Sequence, residues 1–455
     1  MSRQSLNSLF QPKSIAVIGA TNNRYRIGHQ VVRSLLLGGF NGPIYPINPK
    51  LKTLLQLPAF PSIEAVTEDI DLAIIVLRKD RVLEAADACG RKGVNAIIVM
   101  SSAFSESGDQ TTEDELQKCV QKYGMRLLGP NCAGFAATTE RIYASFENRL
   151  QPGQLAFISQ SGSMCAVILA LAQAVGLGFS MFVSYGNATD IGPDEVLSYL
   201  GGHAPTKLIG CYLEGIKHAR EFLSVAQTIT PSKPVVVLKP GETQAATQAI
   251  QSHTGALGGV QALYAGAFRQ AGILQALTLD EFIDGCLILS NQIPPEGNRV
   301  GIITNSGGPG VLAVDACSRS NLAVTPFPQT LVQEFSSFLP PFCLMVNPVD
   351  LGPEGSPATY QRVTEILLKH PDIDMVLVLC VPTAFSDIKA ISEGIAQAKM
   401  SNPKKPLVTS WLTEDIVKAG LPTLTKAGIP NFATPQRAAT ALRFLHQRAE
   451  WLRSR

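Results

Sequence analysis

The chain lacks most of the short signatures that assign a function at sight. None of its 455 residues falls in a G-x-G-x-x-G or a C-x-x-C pattern, so neither a nicotinamide dinucleotide nor a paired-thiol metal or redox site is the natural reading. No unbroken apolar run reaches the roughly 18 residues that a membrane-spanning helix needs, and Met1 to Phe10 carry no apolar core of signal-peptide length. Charge is sparse and balanced: 38 Lys and Arg against 36 Asp and Glu leave a formal +2, which gives no general attraction to nucleic acid or to a membrane surface. The nine cysteines are scattered and odd in number, as befits reduced, buried thiols rather than a disulfide framework. A cytoplasmic protein with no nucleic-acid partner, no membrane segment and no metal site of its own is the expectation.

What is present is an alternation of short apolar runs with turn residues and helical stretches. Ser14 to Gly19 reads as a buried strand ending in a glycine turn, and Ile27 to Leu37 carries apolar residues at helical spacing. Further strand-like runs are Pro43 to Ile47, Leu72 to Leu77, Ala96 to Met100 and Met125 to Leu128. The alternation restarts at Leu155 to Ser159 and again at Val300 to Thr304, after the Pro-rich hinge Gln292 to Gly297. The expected fold class is α/β with parallel sheets: a Rossmann-like domain over 1–137, a second α/β domain over 154–291 and a third over 298–455. Pro435 to Trp451 reads as a last amphipathic helix with a basic end.

Two of these openings echo each other. Phe157-Ile158-Ser159-Gln160-Ser161-Gly162-Ser163 and Ile303-Thr304-Asn305-Ser306-Gly307-Gly308-Pro309-Gly310 both run from strand through a small polar Ser-Gly turn into an apolar helix. Such a turn is a common helix start, and it also directs backbone N–H groups at whatever lies above the strand end, where phosphate binds readily. The repetition favours anion binding, with two helix ends sharing one phosphate. The first domain carries a weaker signal. Gly19-Ala20-Thr21 follows a strand, Arg24 and Arg26 add positive charge, and Asn48-Pro49-Lys50 stands where an NAD site would want an acidic ribose ligand. A lysine there favours a ligand with phosphate near its ribose, such as coenzyme A.

One loop has the composition of a working side chain. Gln251-Ser252-His253-Thr254-Gly255-Ala256-Leu257-Gly258-Gly259 sets a histidine between hydroxyl residues, followed by three glycines. Read alone, it is equally a flexible turn whose histidine faces solvent.

Taken in order, the motifs resemble the α subunit of NDP-forming acyl-CoA synthetases, the ADP-forming acetate–CoA ligases, and more distantly that of succinyl-CoA synthetase. The matching stretches are Ser14 to Ala20, Ile47-Asn48-Pro49-Lys50, Gly129-Pro130-Asn131, Ser159-Gln160-Ser161-Gly162, Gly186-Asn187, Tyr212-Leu213-Glu214-Gly215, Ser252 to Ala256 and Asn347-Pro348-Val349-Asp350. The resemblance implies a CoA-binding Rossmann-like domain followed by two flavodoxin-like domains. It implies His253 as a phosphorylated intermediate, on a loop that swings between two sites, and Glu214 as the carboxylate that orients its ring. A neutral imidazole, with an ordinary pKa of about 6.5, has a lone pair for attack on phosphorus.

For CoA the resemblance points to Gly19, Ala20, Thr21, Asn48, Pro49 and Lys50, to Ile74 and Val76 beside the adenine, to Ser102, Ala103 and Phe104, and to Asn131 near the thioester. Around phosphate it points to Ser159, Gln160, Ser161, Gly162, Gly186 and Asn187, with Ser306, Gly307 and Gly308 from the second helix start. Ile74 and Val76 also read simply as buried strand residues. One departure stands out: relatives commonly carry Lys-Ser-Gly-Arg where this chain has Lys239-Pro240-Gly241-Glu242. No ATP-grasp domain is recognisable. The resemblance therefore implies that ADP or ATP (or GDP or GTP) and Mg²⁺ sit on a separate ATP-grasp β subunit, in an α2β2 assembly acting on a small carboxylic acid and phosphate. The alternative is an acyl-CoA-sensing module like that of certain protein lysine acetyltransferases, in which the loop histidine is typically replaced.

Overall fold

A computed structural model describes residues 6–147, 150–241, 243–246, 248 and 261–455. It divides into two compact units, Met1–Leu277 and Thr278–Arg455, each taken by itself below.

The first unit contains two sheets. In the first, β1 (Ile15–Ile18), β2 (Ile44–Ile47), β3 (Leu72–Ile75), β4 (Ala96–Val99) and β5 (Arg126–Leu128) are all parallel, in the order β2-β1-β3-β4-β5. The strands are almost wholly buried, because crossover helices cover both faces; that is why they read as continuous apolar runs. The helices that bear on function are α1 (Ile27–Gly38), α2 (Val82–Lys92) and α3 (Gln110–Tyr123). Each ends on a left-handed glycine, Gly39, Gly93 or Gly124, whose N–H closes the last turn.

The second sheet has seven strands among the described residues. They are β6 (Gly134–Ala137), β7 (Ile142–Ser145), β8 (Pro152–Ser159), β9 (Phe179–Ser184), β10 (Leu208–Tyr212), β11 (Val235–Leu238) and β12 (Ile273–Ala276), in the order β12-β11-β10-β8-β9-β6-β7. The stretch around 137–153, expected to be a domain boundary and connector, carries β7, which forms a hairpin with β6, and β6 pairs antiparallel with β9. α4 (Gly162–Ala174) follows β8 and α5 (Pro193–Gly202) follows β9. One apolar core runs through both sheets, from Val17 and Ile98 to Phe135, Ile158 and Val237. Arg126 on β5 ties them further, with its guanidinium 2.9 Å from both Asp190 and Glu195.

The second unit opens with α6 (Leu279–Asn291). This helix, the last element of the expected second domain, packs against α9 (Pro435–Arg453), and Arg437 holds the buried Asp284 carboxylate through two 2.7 Å bonds. The sheet comprises β13 (Val300–Thr304), the short β14 (Leu344–Met345) and β15 (Val349–Asp350), β16 (Met375–Cys380) and β17 (Leu407–Trp411), in the order β14-β15-β13-β16-β17. α7 (Gly307–Arg319) follows β13 and α8 (Pro357–Lys369) precedes β16. α9 is more deeply buried than an amphipathic surface helix: Ala438, Leu442, Phe444, Leu445 and Arg448 are all inside.

The three sheets share one feature that positions function. In each, one strand is flanked by parallel neighbours that the chain reaches on opposite sides, β2 and β3 about β1, β9 and β10 about β8, β15 and β16 about β13, so the loops leaving β1 and β3, β8 and β10, and β13 and β16 meet at the sheet's carboxyl end. Ligands of open α/β sheets bind at such a switch point.

Candidate active site

At the switch point of the second sheet, Gln160 leaves β8 and Glu214 follows β10. The Gln160 side-chain oxygen accepts from the Glu214 and Gly215 backbone N–H groups, both at 3.1 Å, and from the Tyr185 hydroxyl at 3.3 Å. Ser159 donates from its hydroxyl to the Ser161 carbonyl at 2.8 Å, which tightens the turn, and Ser161 caps α4 by accepting from Met164. The helix start is thereby fixed beside Glu214, which is 6% exposed. Burial, with the Glu214 charge and a hydrogen bond to it behind, pushes the Tyr212 hydroxyl up to about 12. Beneath Glu214, the Lys239 ammonium, 4% exposed, donates to the Glu214 and Pro240 carbonyls at 3.3 Å and lies 4.4 Å over the Tyr264 ring. Burial pulls its pKa down, and attraction to Glu214 opposes that shift.

Gln160, Ser161 and Glu214 line a cavity of about 720 Å³ together with Met100, Ser102, Ala103, Glu106, Asn131, Cys132, Ala133, Phe146, Glu147, Gly162, Ser163, Gly186 and Asn187. Among the described residues that line it, the charged ones are Glu106, Glu147 and Glu214. An anion here would therefore be met by the N–H groups at the start of α4 and by the amide of Asn131. Asn131 stands at φ +58° and Gly186 at φ +59°, where a Cβ would lie 2.2 Å from the Pro130 carbonyl oxygen. Only a glycine lets these two loops touch. Asn131 donates from its amide to Asn187 at 3.3 Å.

The switch point of the first sheet is built by two short loops. Gly19 follows β1 at φ +94° with Val76 directly behind it, and Asn48 donates to the Ala20 carbonyl at 2.6 Å while accepting from the Lys50 N–H at 2.9 Å. The result is an ordered rim, Gly19-Ala20-Thr21 beside Asn48-Pro49-Lys50, with the Lys50 side chain exposed.

Residues 13–138 match the CoA binding domain family, 152–289 the succinyl-CoA ligase like flavodoxin domain and 300–455 the ligase-CoA domain. Over 450 residues the chain is 36% identical to the α subunit of ADP-forming acetate–CoA ligase II of Pyrococcus furiosus, spanning 98% of each chain. The chain belongs to the ADP-forming acetate–CoA ligase family. ADP-forming acetate–CoA ligase I of Archaeoglobus fulgidus is 35% identical over 97% of this chain but only 63% of its own length, so the ligase family uses this stretch both as a separate subunit and within a longer polypeptide. A solved acetyl-coenzyme A synthetase 1 of Candidatus Korarchaeum cryptofilum, in complex with phosphate and ADP, matches with a TM-score of 0.93 at 35% identity, covering 99% of this chain and 98% of that one.

Within this ligase fold the residues expected from sequence are distributed unevenly. Asn131, Gln160, Ser161, Gly162, Gly186, Asn187, Glu214, Ser102 and Ala103 line one cavity, with Ser159 buried just behind. Ile74 and Phe104 are fully buried in the packing of the first sheet and present no surface to a ligand; both are core residues. Ser306, Gly307 and Gly308 start α7 in the second unit, where Thr304 donates to the Ser306 carbonyl at 2.7 Å as Ser159 does to that of Ser161. His253 and Glu242 lie outside the described residues. Sequence reasoning missed Tyr212, Tyr185, Glu106 and Glu113, and treated Lys239 only as part of a departure. A lysine ending the apolar strand Val235–Leu238 was the available signal for the last.

Proposed function

We propose that this chain is the α subunit of an NDP-forming acyl-CoA synthetase, interconverting acyl-CoA, ADP (or GDP) and phosphate with a carboxylic acid, ATP (or GTP) and CoA. The observation that carries the reading is the meeting, in one cavity, of a capped helix N-terminus, the carboxylate of Glu214 and the paired amides of Asn131 and Asn187. Phosphate attacks the thioester carbonyl, CoA leaves as the thiol, and the acyl phosphate remains. His253 then takes the phosphoryl group and releases the carboxylate, and the phosphohistidine passes its phosphoryl group to the nucleoside diphosphate. Glu214 accepts from one ring nitrogen and leaves the other as nucleophile. The start of α4 stabilises the negative charge of the phosphoryl group in flight; Ser306-Gly307-Gly308, a helix start of the same kind in the second unit, is a further phosphate-binding turn in this reading.

CoA lies along Gly19-Ala20-Thr21 and Asn48-Pro49-Lys50, past Val76 and Ser102-Ala103, with Asn131 at the thioester. The three-way division into a CoA-binding domain and two flavodoxin-like domains belongs to this reading. So do a β subunit of ATP-grasp fold carrying nucleotide and Mg²⁺, an α2β2 assembly and a cytoplasmic location. Among the described residues no helix is long and apolar enough to cross a membrane.

The test is incubation of the purified chain with acetyl-CoA and labelled phosphate, without nucleotide. The chain acquires an acid-labile, alkali-stable phosphoryl group that His253→Ala abolishes. CoA binding with no label, under conditions in which a ligase of this family is labelled, contradicts the catalytic reading and leaves the acyl-CoA sensor.

A further inference from the structure

Asn187 makes more hydrogen bonds than a glycine-loop asparagine needs. Its amide nitrogen lies 2.8 Å from Glu113 Oε2, 2.7 Å from Glu106 Oε2 and 3.2 Å from Ser105 Oγ. Its amide oxygen accepts from the Asn131 amide at 3.3 Å. An ionised carboxylate only accepts hydrogen bonds, whereas an amide presents a donor at one end and an acceptor at the other. Two carboxylates on one side of Asn187 therefore dictate which way round it sits.

Glu113 is well suited to that task. It is 3% exposed and accepts from the Ser105 N–H at 3.1 Å and the Thr189 hydroxyl at 2.6 Å as well as from Asn187. Burial alone would raise its pKa, but these donors outweigh burial and hold it below the ordinary carboxyl value, so it stays ionised. Glu106 fixes the other flank, accepting from the Ala103 and Phe104 N–H groups at 2.5 and 3.2 Å and so joining that loop to Asn187.

We propose that Glu113 and Glu106 are positioning residues of the acyl-transfer site: they hold Asn187 with its NH₂ toward themselves and so fix the orientation of Asn131. With Asn187 held this way, Asn131 spends one N–H on it and offers the cavity one acceptor and one donor. If Asn187 turned over, Asn131 would turn its oxygen to it and offer two donors. For two neutral amides alone the two arrangements are close in energy. The carboxylates, both against the Asn187 NH₂, remove the degeneracy. The inference rests on the ligase reading, in which Asn131 meets the thioester.

Asn187→Asp is the informative variant, since it keeps the acceptor facing Asn131 and replaces only the NH₂. The charged groups around it are Glu106, Glu113, the Lys217 ammonium, which donates to the Asn187 and Ala188 carbonyls, and the Asp190–Arg126 pair. Between two carboxylates the new acid is held above its ordinary pKa. Protonated, it donates as the amide did; ionised, it repels both glutamates. The variant's labelling rate with acetyl-CoA and phosphate, divided by that of the wild type, is thus expected to be lowest at alkaline pH, down by roughly a hundredfold, and to rise as pH falls. A purely structural lesion would not show that pH signature. Glu113→Gln, whose amide oxygen still accepts from Asn187 while its NH₂ meets the Thr189 hydroxyl, should label within a few-fold of wild type. Glu113→Leu should label at least roughly tenfold more slowly with acetyl-CoA affinity retained. A rate ratio for Asn187→Asp that is flat with pH overturns the proposal, as does wild-type labelling by Glu113→Leu. A wild-type chain that takes no label overturns the parent reading and this one with it.

Discussion

At Gly19 a single missing methyl group decides whether the first switch point can exist. The backbone stands at φ +94° and a Cβ would lie 2.3 Å from the Val76 carbonyl oxygen, so Gly19→Ala must open the β1–β3 junction. It is expected to cost about 1–3 kcal/mol, read from the urea midpoint, and to weaken CoA binding in a titration of the same sample. Glu214 is the opposite case, a residue whose removal should spare the fold. Glu214→Gln keeps the volume and loses the charge, and its labelling rate should fall by roughly a hundredfold with CoA affinity unchanged. At this scale the turn chemistry of Gly19, Asn48 and Gly186 was legible, since each sits where the backbone needs that residue type. The sequence was a poor guide where packing decides: Ile74 and Phe104 carry no mark that separates a core position from a ligand contact. Glu113 was invisible because its partners, Asn187 and Thr189, lie more than 70 residues away.

The elements repeat one device. Gln160 bridges from the end of β8 to the end of β10, and Asn305 bridges from the end of β13 to that of β16, donating to the Val381 carbonyl at 2.8 Å and accepting from its N–H at 2.9 Å. In both turns a long amide follows the strand, a hydroxyl before it closes the turn, and a Ser-Gly helix start comes next. Gln160→Ala and Asn305→Ala each strip partners from backbone groups of the neighbouring strand end. Each should cost about 1–3 kcal/mol, and Gln160→Ala should also slow labelling by loosening the start of α4 against Glu214. The parallel strands and this echo were legible because both are local patterns of apolar period and turn chemistry. The β6–β7 hairpin was not, since its pairing with β9 is a contact across about 45 residues that no local period announces. The packing of the helix α6 on α9 was equally hidden, since the ion pair of Asp284 with Arg437 joins residues about 150 apart.

On the scale of the whole molecule, two units with separate cores should unfold as two calorimetric transitions. Gln160→Ala should move one of them and Asn305→Ala the other; a single transition shifted by both variants would contradict separate cores. Each unit also holds a buried carboxylate below its ordinary pKa. For Glu113 the donors are Ser105, Thr189 and Asn187; for Asp374, 5% exposed, burial is outweighed by the hydrogen bonds and charge of Arg299. A carboxylate with a depressed folded-state pKa stabilises fully above its unfolded value, near 4, and loses that contribution as pH falls through the folded one. Both transitions should therefore drop progressively below about pH 5.

The central claim is that the cavity around Glu214 and the α4 start transfers a phosphoryl group to His253 at the expense of a thioester. The most direct measurement is a single turnover without nucleotide, in which CoA thiol release and phosphate at residue 253 are quantified in the same sample, the latter by peptide mapping under alkaline conditions. The account predicts one thiol released for each phosphoryl group found on His253 of the wild type, and in His253→Ala no phosphoryl group on the protein, with thiol release limited to the one equivalent that forms bound acyl phosphate. Thiol release without phosphate on His253, or phosphate on another residue, would contradict it.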